Sequence, residues 1–151
     1  MPEQDLRDLP ARLAPGQRLA RGVCRALSGF DFATLEEVVP EPGLRVDVMA
    51  LGPTGEIWVI ECKSSLADFR ADRKWHAYLP WCDRFFWAVP SDFPVDRLPE
   101  AGGLILADDF DAEIIRNPAP APLPSARRRA LTLRFARVAA FRHHGLRDPQ
   151  T

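Results

Sequence analysis

The chain has 151 residues, 46% of them hydrophobic and 27% charged, and a net charge of −1. That suits a single domain with its own core and excludes a disordered or fibrous chain. No apolar run reaches membrane-span length, the N-terminus lacks a signal pattern, and Cys24, Cys62 and Cys82 form no Cys-x-x-Cys pair, so a cytoplasmic protein with reduced thiols is expected.

Residues 1–11 read as a loose lead-in. From Pro15 to Ser28, Leu19, Val23, Ala26, Leu27 and Phe30 fall on one stripe and Arg18, Arg21 and Arg25 on another, which predicts an amphipathic helix stopped by Gly29. Phe32 to Val39 is a strand candidate ending in Pro40-Glu41-Pro42-Gly43. Arg45–Leu51 and Glu56–Lys63 both alternate as strands, separated by Gly52-Pro53-Thr54-Gly55. A three-residue loop with Gly55 in the left-handed position pairs Gly52 with Glu56, hence Ala50 with Trp58, Val48 with Ile60 and Asp47 with Glu61. The same logic at Glu41-Pro42-Gly43 pairs Val39 with Arg45 and Glu37 with Asp47; a one-residue slip would substitute Glu36.

Ser64 or Ser65 can cap a further helix, with Asp68 completing the pattern, that runs to about Leu79 or Trp81. On it Asp68, Asp72, Trp75 and Leu79 follow one face, and Asp72 is either a support for the site or an ion-pair partner for an arginine. Asp83–Val89 reads as a buried strand reached by this helical crossover, therefore parallel to the preceding strand, with a right-handed connection. Residues 90–100 are loop-like with room for a short helix, and 103–107 and 112–116 form a hairpin around Asp108-Asp109-Phe110-Asp111. A Pro-rich linker, 117–124, leads to an Arg-rich helix from Ser125 to about His144. The expected architecture is one α/β domain with a mixed sheet flanked by helices, its core at about 15–116. Residues 1–124 carry −7 and residues 125–151 carry +6, so the terminal helix is either a polyanion-binding element or a solvated face.

Asp47 and Glu61 therefore meet on one sheet face, with Lys63 two residues along on the same side. Two opposed carboxylates destabilise a sheet unless a cation lies between them, and magnesium (or manganese), which takes oxygen ligands, suits the pair. Glu37 is a further candidate ligand. Lys63 would orient a metal-bound water and neutralise a phosphate, making Asp47, Glu61 and Lys63 the candidate catalytic set for phosphodiester hydrolysis. Ser64 and Ser65 at a helix start, together with Arg18, Arg21, Arg25, Arg70, Arg73 and Lys74, are candidate contacts to a nucleic-acid backbone. The competing reading is a surface ion-pair patch on a half-exposed sheet. No phosphate-cradling Gly-rich loop is present, which argues against ATP dependence.

The Asp47…Glu61-x-Lys63 set resembles the active-site motif of the PD-(D/E)XK, or restriction-endonuclease-like, nuclease superfamily. More specifically, Arg21–Arg25, Glu61–Trp75, Cys82–Pro90, Gly103–Asp108 and Ala130–Arg137 resemble the MmcB family of bacterial DNA-repair proteins, over roughly Gln17 to His144. Cys62 stands where such motifs usually carry an aliphatic residue. The resemblance implies an α-β-β-β-α-β core, the backbone carbonyl of Cys62 as a third metal ligand, DNA as the partner, other repair proteins as further partners, and a role in repair at the nucleoid. Two alternatives stay open: a DNA- or partner-binding module that keeps the carboxylates without efficient cleavage, and an RNA-processing nuclease.

Overall fold

The computed structural model describes residues 13–150; the lead-in expected at 1–11 lies outside them. In chain order the elements are helix α1 (Pro15–Ser28), strands β1 (Ala33–Glu41), β2 (Leu44–Leu51) and β3 (Ile57–Cys62), helix α2 (Leu66–Ala71), a 3-10 helix (Trp75–Trp81), β4 (Arg84–Val89), a 3-10 turn (Val95–Arg97), β5 (Gly103–Ala107), β6 (Ala112–Arg116) and helix α3 (Ser125–Arg147). The six strands form one sheet in sequence order. Pairings β1–β2, β2–β3 and β5–β6 are antiparallel, while β3–β4 and β4–β5 are parallel. The architecture is thus mixed α/β, with helices on both faces of a mixed sheet. Among the described residues no helix is long and apolar enough to cross a membrane.

The β2–β3 hairpin follows its turn chemistry. Gly55 is left-handed (φ 97°), the Gly52 N–H donates to the Glu56 carbonyl at 2.8 Å, and Ala50 pairs with Trp58 and Val48 with Ile60. The β1–β2 hairpin closes differently. Glu41 pairs directly with Leu44 around Pro42-Gly43, and an irregularity between Val38 and Glu41 absorbs the extra residue, so the inner register (Glu36 with Val48, Val38 with Val46) matches the expected one.

α1 lays Leu19, Ala20, Val23 and Leu27 on one face of the sheet, against Val48, Ala50, Ile60, Phe86, Ala88 and Ile105. Phe30, expected on that stripe, is exposed because the helix ends at Ser28 and Asp31 turns the chain with a φ of 64°. Gly22 is where α1 touches the β5–β6 loop: a β-carbon there would lie 1.9 Å from the Asp108 carbonyl oxygen.

The opposite face is covered by α2, the 3-10 helix, Leu123, and Leu131 and Phe135 of α3, over Met49, Ile57, Val59, Phe85, Trp87 and Leu104. One buried carboxylate fastens this side. Asp83 accepts from the Ile57 N–H (2.8 Å), the Leu123 N–H (2.8 Å) and both terminal nitrogens of Arg128, whose Nη1 also reaches the Gly55 carbonyl. The Pro-rich segment is therefore bound along the start of β4, helped by an Arg84 bond to the Pro118 carbonyl.

One expectation is corrected by the structure. The helix after Lys63 does not run unbroken to Leu79: α2 ends at Ala71, and a 3-10 helix follows after Asp72–Lys74. The Asp72 side chain accepts the Lys74 N–H at 2.7 Å, a local turn that competes with helix propagation. Four of the seven arginines of the terminal helix reach other elements of the domain. Arg127 donates to the Pro80 carbonyl and stacks on Trp81, Arg128 pairs with Asp83, Arg134 donates to Val39 O, and Arg142 donates to the carbonyls of Glu36 and Glu37 on the outer edge of β1.

Candidate active site

Val48 and Ile60 are the last paired residues of β2 and β3 on the side away from the hairpin turn. Beyond them, side chains take over the bonding of the ladder. The Asp47 carboxylate accepts the Cys62 N–H at 2.8 Å through Oδ2, and the Glu61 carboxylate accepts the Asp47 N–H at 3.1 Å through Oε1. Each acid is therefore fixed by the other's strand, and each spends only one oxygen on the backbone. The expected juxtaposition of Asp47 with Glu61 is what the structure contains.

Glu61 is 3% exposed and Lys63 8%. Burial, and then the neighbouring Asp47 charge, push the Glu61 carboxyl up to about 9. Burial also raises Asp47, against the Cys62 N–H and the Lys63 charge, which favour its ionised form. Such opposition marks a site with more buried negative charge than its own residues neutralise. Burial would lower the Lys63 ammonium, but its bond to Asp72 outweighs that and holds it above its ordinary value. The Lys63 Nζ to Asp72 Oδ2 distance is 2.9 Å, with both side chains almost wholly buried. Asp72 is thus the partner of Lys63, and the arginine partner considered for it is set aside.

The pair opens into a cleft of about 640 Å3 lined by the start of α1 (Ala14, Gly16, Gln17), Glu37, Arg45, Asp47, Glu61, Cys62, Lys63, Ser64, Asp68, Lys74 and Tyr78. Tyr78 donates its hydroxyl to the Arg45 carbonyl at 3.1 Å, tying the 3-10 helix to β2 beside the site. Glu37 falls across from Asp47 in register, but its backbone is left-handed (φ 56°) and its side chain is exposed at the rim. Among the described residues no three His, Cys, Asp or Glu side chains gather closely enough to hold an ion together. The donor set is two carboxylates, each with an oxygen to spare, beside the Cys62 backbone. This fits a hard divalent cation that keeps several waters, because magnesium sites commonly use one or two carboxylates.

The candidate DNA contacts divide. Ser64 and Lys74 line the cleft. Ser65 is the N-cap of α2, its hydroxyl accepting the Asp68 N–H. Arg70 and Arg73 are exposed on and just after α2 and do not line the cleft. On α1, Arg25 donates to the Phe110 carbonyl at 2.8 Å and Arg21 lies over the Phe110 ring, so both hold the β5–β6 loop; Arg18 is half-buried. Sequence reasoning missed Arg45 and Gln17 as cleft residues. Arg45 was legible from the register that placed Asp47, whereas Gln17 depends on how α1 docks.

Comparison with known proteins adds the following. A family model described as DNA repair protein MmcB-like matches residues 11–150. Among solved structures, a protein of unknown function from Silicibacter pomeroyi superposes with a TM-score of 0.90 at 59% sequence identity, covering 91% of this chain and 94% of that one. No curated protein matches the chain.

Proposed function

The chain belongs to the MmcB-like family of DNA repair proteins, and we propose that it works there as a divalent-metal-dependent nuclease of the restriction-endonuclease-like fold, hydrolysing DNA phosphodiester bonds. The observation that carries this reading is the Asp47–Glu61 pair: a half-buried and a buried carboxylate cross-bonded at the parting of β2 and β3, with the Lys63 ammonium beside them. A stabilising role alone gives no reason to set a buried acid against a second carboxylate.

Asp47 and Glu61, with the Cys62 carbonyl, would hold magnesium or manganese, which when bound would supply Lewis acidity and ease the deprotonation of the water that attacks phosphorus. Lys63 would orient the attacking water and neutralise the charge that grows on the phosphate oxygens in the transition state. Ser64, Lys74 and Arg45, which line the cleft, would take the flanking phosphates, with exposed Arg70 and Arg73 as further candidates outside it. Four acidic and three basic side chains line the cleft, so DNA affinity should be modest and fall with salt.

The test is cleavage of single-stranded, nicked, flapped and branched DNA in magnesium and in manganese. Wild type should cut at least one of these, and Asp47→Ala and Glu61→Ala should lose both cleavage and metal binding while staying folded. Absence of cleavage on every DNA structure, with DNA binding retained, would replace this reading with that of a non-cleaving binding module.

A further inference from the structure

The site's lysine is held by a residue that the nuclease motif does not include. We propose that Asp72 is the positioning residue for Lys63, fixing its ammonium beside the Asp47–Glu61 pair; this rests on the reading of that pair as a nuclease site. Lys63 ends a long flexible side chain, and among acids it has several places to go: Glu61, Asp68 and Asp72 all act on it electrostatically. An ammonium on a four-carbon stem loses much rotamer freedom when it is fixed, so a defined position needs a defined partner. Asp72 meets that need, because its own carboxylate is immobilised. Oδ2 lies 2.9 Å from Lys63 Nζ, while Oδ1 accepts the Lys74 N–H at 2.7 Å, and the Asp72 N–H donates to the Phe69 carbonyl. The backbone at Asp72 is extended (φ −81°, ψ 119°), which ends α2 after six residues in a stretch otherwise compatible with helix. The break in the helix and the seat of the ammonium are one feature: a helix continued through residue 72 would lose the turn that aims this carboxylate at Lys63.

The chemistry predicts a particular signature. Asp72 makes no hydrogen bond to Asp47 or Glu61, so neutralising it while keeping the turn that holds Lys74 should spare DNA and metal affinity and act on the step that Lys63 serves. Residues that orient a functional group from behind typically cost roughly 10- to 100-fold when removed.

Lys63 and Lys74 are the two lysines of the chain, which allows a test independent of activity. Acetylation of the full-length, metal-free protein with an amine-reactive ester, read by mass spectrometry, should label exposed Lys74 quickly and Lys63 slowly in wild type. In Asp72→Asn, which keeps an acceptor for the Lys74 N–H and so preserves the turn, Lys63 should become labelled several-fold faster relative to Lys74. Asp72→Ala should show the same increase. In single-turnover cleavage at saturating DNA, both variants should be slowed by roughly 10- to 100-fold, with DNA affinity unchanged in Asp72→Asn, which keeps the Lys74 turn. Slow Lys63 labelling in both variants together with wild-type cleavage rates would overturn the assignment while leaving the nuclease reading intact. Faster cleavage in either variant would also overturn it, by showing that Asp72 restrains Lys63. If wild type cuts no DNA, the nuclease reading falls, and with it the assignment of Asp72 to catalysis; the labelling then reports only on the ion pair.

Discussion

Replacing Glu61 with Gln should make the metal-free protein more stable at neutral pH, even though it removes a residue from the centre of the site. The folded state lifts the Glu61 carboxyl from 4.5 to about 9, through burial and the adjacent Asp47 charge. Between those two values the folded chain binds a proton that the unfolded chain has released. Stability is therefore greatest below the unfolded pKa and declines as pH rises through the window toward 9. At about 1.4 kcal/mol per pH unit, the decline between pH 4.5 and pH 7 is about 3 kcal/mol. Gln cannot titrate, and its amide oxygen can still accept the Asp47 N–H that Glu61 Oε1 accepts at 3.1 Å. The variant should match wild type near pH 5 and exceed it by about 3 kcal/mol at pH 7, with a smaller slope remaining from Asp47, which is also raised. Urea unfolding in EDTA at pH 5, 7 and 8.5 reads this directly, and magnesium should stabilise wild type but not the variant. A wild-type stability flat from pH 5 to 8.5, or a variant less stable than wild type at pH 7, would refute the claim that these carboxylates are held together at a cost.

Other substitutions test the parts that carry the site. Asp83→Ala should destabilise by about 3–5 kcal/mol, because it leaves two buried N–H groups without their acceptor and takes the carboxylate partner from Arg128, which keeps only the Gly55 carbonyl. Asp83 is held below its ordinary value despite burial, by Arg128 and the two N–H bonds, so its contribution should be present at neutral pH and fade as acid titrates it through that depressed value, which acid unfolding of wild type and variant will show. Gly22→Ala should lower stability by about 1–3 kcal/mol, since both oxygens nearest the new methyl are backbone; Gly145→Ala, with nothing within 4 Å, should be neutral or stabilising in the same thermal melts. Lys63→Ala and Lys63→Arg should both lose cleavage in single-turnover assays while still binding DNA, as a planar guanidinium does not replace a compact ammonium; equal rates in all three proteins would remove Lys63 from the mechanism.

The site's two acids were legible because turn chemistry transmits register. Gly55 demands a left-handed position, that position fixes the loop length, and the loop length sets Asp47 across from Glu61. The β1–β2 turn was misjudged by one residue, yet the irregularity near Val39 returned the inner register to the expected one. The parallel β4, an unbroken apolar run from Phe85 to Val89, and the β5–β6 hairpin were likewise readable as patterns. Side-chain bonds between distant segments were not. Asp72 stops a helix by bonding Lys74 and Lys63, Asp83 joins three segments, and Arg21 and Arg25 turn to Phe110 instead of the cleft. An arginine's reach exceeds what helical periodicity can say about its partner. The same limitation hid the fate of the C-terminal arginines, which charge counting could only describe as a patch.

Those arginines bear on how the protein behaves in company. β1 is the outermost strand of the sheet, and the carbonyls of Glu36, Glu37 and Val39 are taken by Arg142 and Arg134. A bare strand edge is a template for another chain to add to, and covering it with a charged helix blocks that route to aggregation. Shortening the chain before Ser125 would remove the Asp83–Arg128 anchor and uncover this edge together. Material truncated there should clump through strand addition, and poor solubility of such fragments would then reflect an opened sheet more than a lost net charge.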